Sequence, residues 1–242
     1  MDVLQFTPAL TSAEASELAR RLYGLVAEAS PLPSERDQNF LLQTAGGDRS
    51  VLKIANATED RALLEAQNEA LARVARRTDR CPRVVAARDG SGISAIVAAS
   101  GARHYVRVLT WLPGVPLAEA EPSADLLEDV GGAVAELDAA LDGFDHPAIH
   151  REFYWDLAKG LPLVREWAPQ VEDPAMRALV TELADRIERR DAPRFARLRR
   201  AAVHNDPNDY NILVSDLPPE GGSHEIPPLA SVASAFRRRV TG

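Results

Sequence analysis

The stretch His204-Asn205-Asp206-Pro207-Asn208-Asp209-Tyr210-Asn211-Ile212-Leu213-Val214 is the most informative part of this chain. It places an aspartate two residues after a histidine and five residues before an asparagine, and then enters an apolar run typical of a strand. Phosphoryl transfer needs a carboxylate beside the attacking hydroxyl and an oxygen ligand for the metal of the nucleotide, both on one rigid loop. Asp206 fits the first role, as the base, and Asn211 fits the second, as a magnesium ligand. The stretch therefore predicts a phosphoryl-transfer loop.

This pattern also has other interpretations. Chance is one, because aspartate, asparagine and proline are common in turns. A hydrolase is another, with His204 and Asp206 as metal ligands, although the sequence offers no further ligand at a suitable spacing. Phosphoryl transfer therefore needs support from other parts of the chain.

Length and charge restrict the class of protein. The 242 residues are 45% hydrophobic and 26% charged, which is enough for one large domain or two small lobes. With 28 Lys and Arg against 36 Asp and Glu, the net charge of -8 argues against a nucleic-acid partner, because such a surface needs a basic face. Small cationic molecules suit this charge better. The single cysteine, Cys81, excludes an internal disulfide and a thiolate metal cluster.

Nothing in the sequence indicates a membrane protein. The first residues lack the basic and then apolar segments of a secretory signal. No apolar run approaches a length of about 20 residues, which a spanning helix needs. We therefore expect a cytoplasmic protein without a membrane partner.

The first part of the chain combines strand patterns with two helical patterns. Apolar residues recur at helical spacing after a Thr11 or Ser12 cap, and again where Leu64, Leu71 and Val74 share one side. The predicted elements are helices 12–29 and 59–77, a loop 31–37, a hairpin of strands 39–44 and 50–54, and strands 83–87, 93–98 and 105–111. Residues 1–112 are therefore predicted to form an N-terminal lobe.

Beyond residue 112 the pattern becomes mainly helical. The predicted helices are 123–141, 153–167 and 174–190. Residues 113–242 would then form a C-terminal lobe that contains the catalytic loop 204–211, which we call the Asp206 loop. This lobe also contains a predicted flexible insertion at 217–234, which is rich in proline and glycine. The pattern predicts an α+β protein with two lobes.

Further residues are candidates for a nucleotide site. Lys53 lies between apolar residues of a predicted strand, where a lysine can reach the α- and β-phosphates, although an exposed strand residue explains it as well. Such a lysine needs a carboxylate to hold it, and the next helix offers Glu65 or Glu69, one turn apart on the same face. Ser34 precedes the hairpin, where its hydroxyl and backbone N–H groups can contact phosphates, without a glycine-rich pattern in support.

The order of these segments resembles the aminoglycoside phosphotransferase and choline kinase superfamily, and most closely its hydroxylysine kinase branch. The segments that carry the resemblance are 32–40 (LPSERDQNF), 52–54 (LKI), 65–68 (EAQN) and 204–211 (HNDPNDYN). The resemblance extends over about residues 18–214, and it favours Glu65 over Glu69 as the partner of the lysine.

The resemblance implies a protein-kinase-like two-lobe fold that binds ATP or GTP with Mg²⁺. The implied reaction moves the γ-phosphate to a hydroxyl of a small amino alcohol such as hydroxylysine. Asp206 would be the catalytic base and Asn211 the metal ligand, with Lys53, Glu65 and Ser34 at the nucleotide. Members of this branch also occur in front of class III aminotransferase domains, which makes an attached aminotransferase domain a candidate partner.

The resemblance also implies a second metal-binding aspartate on the strand after the Asp206 loop, and the sequence lacks it. Asp216 lies too close to the loop, and residues 239–242 look like the approach to the missing strand, so we expect a C-terminally truncated fold. A non-catalytic or truncated nucleotide-binding module is therefore the alternative function. Glu152, Trp155 and Asp156 are candidates for contacting an ammonium group of the acceptor, although helix packing explains this segment as well.

Overall fold

The computed structural model describes residues 6–34, 36–98, 100–151, 156, 160–195, 197–215 and 229–232. It combines helices with antiparallel sheets, as the α+β prediction requires. The helices are α1 (Ser12–Tyr23), α2 (Arg61–Val74), α3 (Ala124–Leu141), α4 (Gly160–Trp167), α5 (Pro174–Arg190) and α6 (Ala192–Phe195). The strands are β1 (Ala27–Leu32), β2 (Gln38–Thr44), β3 (Arg49–Ile54), β4 (Val84–Val85), β5 (Ser94–Val97), β6 (Arg103–Thr110), β7 (Val115–Pro116), β8 (Ile212–Ser215) and β9 (Leu229–Val232).

The first sheet contains β1 to β6 in the order β1-β2-β3-β6-β4, with β5 also paired to β6. β2 and β3 form the predicted hairpin. β3 and β6 are antiparallel neighbours, and their register places Lys53 opposite Arg107 and Leu52 opposite Val108. Since side chains alternate between the two faces of a strand, Lys53 and Arg107 share one face of the sheet.

The opposite face of this sheet packs against α1. Four buried α1 residues share a hydrophobic core with apolar residues of the sheet, namely Ala15, Leu18, Ala19 and Tyr23 with Phe40, Leu42, Leu52, Ile54, Val106 and Val108. Thr11 begins the helix with a capping box, because its side chain accepts from the N–H of Glu14 and the Glu14 side chain accepts from the N–H of Thr11. The sheet therefore has one apolar face and one face that carries charge.

The predicted helix 12–29 is too long. α1 ends at Tyr23, where Gly24 adopts a left-handed φ of 73° and donates its N–H to carbonyls of the last turn. Residues 27–32 then pair with β2 as strand β1 instead of continuing the helix. The predicted loop is correspondingly shorter, and it becomes the turn between β1 and β2.

A second core connects α2 with the helical part of the chain. Its buried members are Ala66, Ala70, Leu71, Val74, Cys81, Leu109, Ala133, Leu137, Ala140, Leu141, Ile149, Ala202 and Ile212. The side chains of Arg73 and Arg77 donate to carbonyl oxygens of Ala140 and Ala139 at 3.0 Å, which satisfies the end of α3. This core contains residues from before and after residue 112. The boundary between two lobes at this residue therefore stays a prediction.

The predicted helix 174–190 is confirmed with both bounds, and Asp173 caps it by accepting from the N–H of Ala175. The predicted helix 123–141 is also present, with Ser123 as its cap. The predicted helix 153–167 is observed only as α4, since Asp156 is not helical and residues 153–155 and 157–159 lie outside the described residues.

A second, antiparallel sheet has the order β7-β8-β9. β9 lies inside the segment 217–234, which was predicted to be a flexible insertion. Residues 229–232 differ from that prediction, because they pair with β8 as a strand. The rest of that segment lies outside the described residues. In the part of the chain that the structure describes, no helix has the length and apolar character needed to span a membrane.

Candidate functional site

The Asp206 loop is built by short hydrogen bonds between neighbouring residues. His204 is buried, with 2% of its surface exposed, and its Nδ1 accepts from the N–H of Asp206 at 3.3 Å. The Oδ1 atom of Asn208 accepts from the N–H groups of Tyr210 and Asn211, at 3.0 and 3.1 Å, which is the local turn that asparagine favours. The loop therefore holds its shape largely through its own polar groups.

Two asparagines hold the carboxylate of Asp206. Asn208 donates its Nδ2–H to Oδ1 at 2.9 Å, and Asn211 donates its Nδ2–H to Oδ2 at 3.0 Å and to the backbone oxygen of Asp206 at 2.9 Å. The structure thus brings together the two residues that the sequence singled out. The side chain of Asp206 is exposed, so an acceptor hydroxyl has access to its remaining lone pairs. Sequence reasoning missed the role of Asn208, although asparagine often hydrogen-bonds the backbone two residues further on, as Asn208 does with Tyr210.

The described residues supply few oxygen ligands for Mg²⁺. The amide N–H groups of Asn211 point to Asp206, and its Oδ1 accepts no hydrogen bond from the described residues, so this oxygen is free to face a metal. Mg²⁺ is usually held by one or two carboxylates together with substrate phosphates and water. No group of three metal-ligating side chains occurs among the described residues. They fit a magnesium site only in part, and the hydrolase alternative gains no further metal ligand beside His204 and Asp206 from the described residues.

The segment that follows β6 contacts the Asp206 loop and the strand after it. β7 pairs with β8, with Val115 opposite Val214. The N–H of Ala118 donates to the backbone oxygen of Asp209 at 3.0 Å. Gly114 has a φ of +130°, and a Cβ built on it would lie 2.5 Å from the carbonyl oxygen of Val214, so only glycine allows this approach. The position of the Asp206 loop is therefore coupled to the end of the first sheet.

Lys53 is partly buried on the charged face of the first sheet. Its neighbours in the register are Asn39 on β2 and Arg107 on β6. Burial lowers the pKa of Lys53, the adjacent Arg107 guanidinium lowers it further, and the carboxylate of Asp37 acts in the opposite direction. No ion pair links Lys53 to a carboxylate among the described residues. Its ammonium group is therefore available to an incoming anion.

Glu65 makes a different contact from the one predicted. Its Oε1 atom pairs with Arg61 Nε at 2.8 Å, one turn earlier in α2, and both side chains are nearly half exposed. The α2 residues that accept hydrogen bonds from Arg107 of β6 are Leu64, Gln67 and Asn68. The structure therefore shows Glu65 in a surface ion pair, and its contact with Lys53 stays a prediction.

Arg107 is a buried cation that sequence reasoning missed. It is 5% exposed and donates to Gln67 Oε1 at 2.8 Å and to Asn68 Oδ1 at 2.9 Å. Burial lowers its pKa to about 10, while Asp37 and Glu59 act in the opposite direction. A single arginine inside the apolar run of β6 was the available signal, since such a residue needs partners on a packed face.

The turn between β1 and β2 carries Ser34. Ser34 is exposed, and this turn lies at the end of β2 where Gln38 pairs with Ile54, next to Lys53. Asp37 anchors the turn, because its Oδ1 accepts from the N–H of Asn56 at 2.9 Å. The structure thus brings Ser34 and Lys53 to the same end of the sheet.

The candidate acceptor residues remain largely untested. Glu152 and Trp155 lie outside the described residues, and Asp156 is buried, with 8% of its surface exposed. Their proposed contacts with an ammonium group stay predictions.

Comparison with known proteins gives concordant matches. The model of the phosphotransferase enzyme family, APH, matches residues 28–223. Hydroxylysine kinase of Mus musculus is 34% identical over 224 residues, or 86% of this chain and 59% of that protein, so the chain spans about three fifths of this relative. Among solved structures, a microcompartment-associated aminopropanol kinase has a TM-score of 0.68 at 21% identity and covers 91% of this chain and 68% of its own. Spectinomycin phosphotransferase in complex with ADP and spectinomycin has a TM-score of 0.59 at 10% identity, with 93% and 71% covered. These likenesses confirm the predicted kinase-like fold.

Proposed function

Since the chain belongs to the phosphotransferase enzyme family, we propose that it binds a nucleoside triphosphate and transfers the γ-phosphoryl group to a hydroxyl of a small molecule. The observation that carries this proposal is the pairing of Asp206 with Asn211 at 3.0 Å in an accessible loop. A carboxylate held in this way can receive a proton from a hydroxyl without first having to be ordered.

Asp206 acts as the base in the proposed reaction. The acceptor hydroxyl gives its proton to the Asp206 carboxylate as its oxygen bonds to the γ-phosphorus, and the bond from phosphorus to the leaving nucleoside diphosphate breaks. Lys53 binds the phosphates through its ammonium group, and Ser34 contacts them from the turn between β1 and β2. Glu65 orients Lys53 after the Glu65 carboxylate has released its ion pair with Arg61. Asn211 Oδ1 would hold Mg²⁺, which would supply neutralisation of the phosphate charge.

The proposed acceptor is a small amino alcohol. The matching relative is a hydroxylysine kinase, and one matching structure is an aminopropanol kinase. The net charge of -8 favours a cationic acceptor. ATP and GTP are both candidate phosphate donors. An attached aminotransferase domain and a cytoplasmic location stay predictions.

A non-catalytic nucleotide-binding module is the second candidate, and one observation favours it. β9 ends at Val232, which pairs with Ile212, the residue after Asn211. The sequence contains no Asp or Glu after Glu225. Residues 226–242, which include this strand, therefore offer no second carboxylate for Mg²⁺.

Two measurements test the proposal. ATP or GTP with Mg²⁺ should raise the melting temperature of the wild type, and Lys53→Ala should abolish this shift. Phosphate transfer to 5-hydroxylysine should occur in the wild type and be lost in Asp206→Asn, while Asp48→Asn, a change in the exposed turn between β2 and β3, should retain it. Nucleotide binding without transfer would favour the second candidate. No shift with either nucleotide would contradict both.

A further inference from the structure

We propose that Arg107 is a positioning residue for the nucleotide phosphates, because it fastens α2 to β6 and keeps a second positive charge beside Lys53. This inference rests on the proposed function, and it assigns to the nucleotide site a residue other than the lysine, glutamate and serine considered above.

The contacts of Arg107 form a clamp between the sheet and α2. Its Nη2 donates to Gln67 Oε1 at 2.8 Å, and its Nη1 donates to Asn68 Oδ1 at 2.9 Å, with the backbone oxygen of Leu64 at 3.5 Å. All of these acceptors lie on one turn of α2. Because the guanidinium is planar and buried, it fixes the position of that turn against β6.

The acceptors in this clamp are neutral oxygens, so they leave the positive charge of Arg107 uncompensated. Asp37 and Glu59 are the carboxylates that influence it, and neither forms an ion pair with it among the described residues. A buried cation without a carboxylate partner is unfavourable unless another anion is present. The geometry therefore suits an anion that arrives from solution, such as a triphosphate.

Arg107 acts on the nucleotide through Lys53, its opposite neighbour in the β3–β6 register. The groups that face Lys53 are Arg107 from β6, Asn39 from β2 and Asp37 from the turn before β2, whereas Glu65 of α2 is paired with Arg61. Two adjacent cations attract phosphate oxygens more strongly than one does. They also repel each other, so a charged Arg107 lowers the pKa of Lys53. Lys53 therefore loses its proton more readily at alkaline pH.

The test adds a carboxylate to the clamp without removing the clamp. Gln67→Glu places a negative charge at the atom that already accepts from Arg107, so the fold should be retained. Gln43→Glu makes the same chemical change at an exposed position of β2 and serves as the matched control. Arg107→Gln removes the cation itself. ATP affinity with Mg²⁺ is measured by titration calorimetry from neutral to alkaline pH, and melting temperatures are recorded for each variant.

We expect Gln67→Glu and Arg107→Gln each to weaken ATP binding by about tenfold. This is the size expected for one unit charge at about 10 Å with an effective dielectric constant of about 20. Both variants should also move the alkaline loss of binding to higher pH, because Lys53 then keeps its proton longer. Gln43→Glu should match the wild type in both respects.

Wild-type affinity and an unchanged pH profile in Gln67→Glu would overturn the role of Arg107, even if Arg107→Gln were too unstable to assay. A lower melting temperature without either binding effect would show that the clamp is only structural, and would overturn it as well. Failure of the wild type to bind ATP or GTP would instead contradict the proposed function itself.

Discussion

Gly114 is the residue at which the segment after β6 approaches the strand that follows the Asp206 loop. Its φ of +130° is rare for residues with side chains, and a Cβ there would lie 2.5 Å from the oxygen of Val214. We expect Gly114→Ala to lower the free energy of unfolding by about 2–6 kcal/mol. This estimate adds about 1–3 kcal/mol of backbone strain to about 1–3 kcal/mol of overpacking. Such a loss is a large part of the total stability of a typical domain.

The matched control is Gly47→Ala in the turn between β2 and β3. Gly47 also has a positive φ, of +92°, but nothing lies within 4 Å of a Cβ built on it. Gly47→Ala should therefore show backbone strain alone. In urea denaturation, the free energy of unfolding of Gly114→Ala should be about 1–3 kcal/mol lower than that of Gly47→Ala. Equal losses in the two variants would refute the close approach of Gly114 to Val214.

Two further predictions concern the Asp206 loop and the second core. Asn208→Ala should lower turnover by about tenfold to a hundredfold while ATP affinity is unchanged, because the Asp206 carboxylate loses its 2.9 Å partner and shifts; steady-state kinetics with an unchanged turnover would contradict this. Burial raises the pKa of Cys81 to about 12, so iodoacetamide at neutral pH should label this thiol in urea but not in the folded protein. Rapid labelling of folded protein, seen by intact mass, would contradict its burial.

The sequence predicted elements well where local signals agree. α5 combines an aspartate cap, a proline in its first turn and arginines in its last turn, and its bounds were found without error. α1 was extended too far because small and apolar residues continue past Gly24. The deciding fact there is the pairing of Ala27–Leu32 with β2, which is a contact between separate segments. Helical spacing alone does not reveal such a contact.

In the site as well, contacts within one segment were predictable from the sequence, whereas contacts between separate segments were not. Asp206 and Asn211 lie on one loop, so their spacing predicted their contact. The neighbours of Lys53 depend on which strand pairs with β3 and in which register, and a single sequence does not contain that register. Which residues of α2 face β6 depends on the same packing. In the structure Gln67 and Asn68 accept hydrogen bonds from Arg107 of β6, whereas Glu65 pairs with Arg61.

Nucleotide binding and phosphoryl transfer, the two parts of the proposed function, depend on different residues of this chain. The Asp206 loop is ordered by contacts among its own residues, and Lys53 and Arg107 are placed together by the register of β3 and β6. Transfer in addition requires neutralisation of charge on the phosphates, and Asn211 is the amide ligand that the described residues offer. A chain of this design should bind a nucleotide through its cations even where transfer is slow, and therefore the nucleotide affinity is the quantity to measure first.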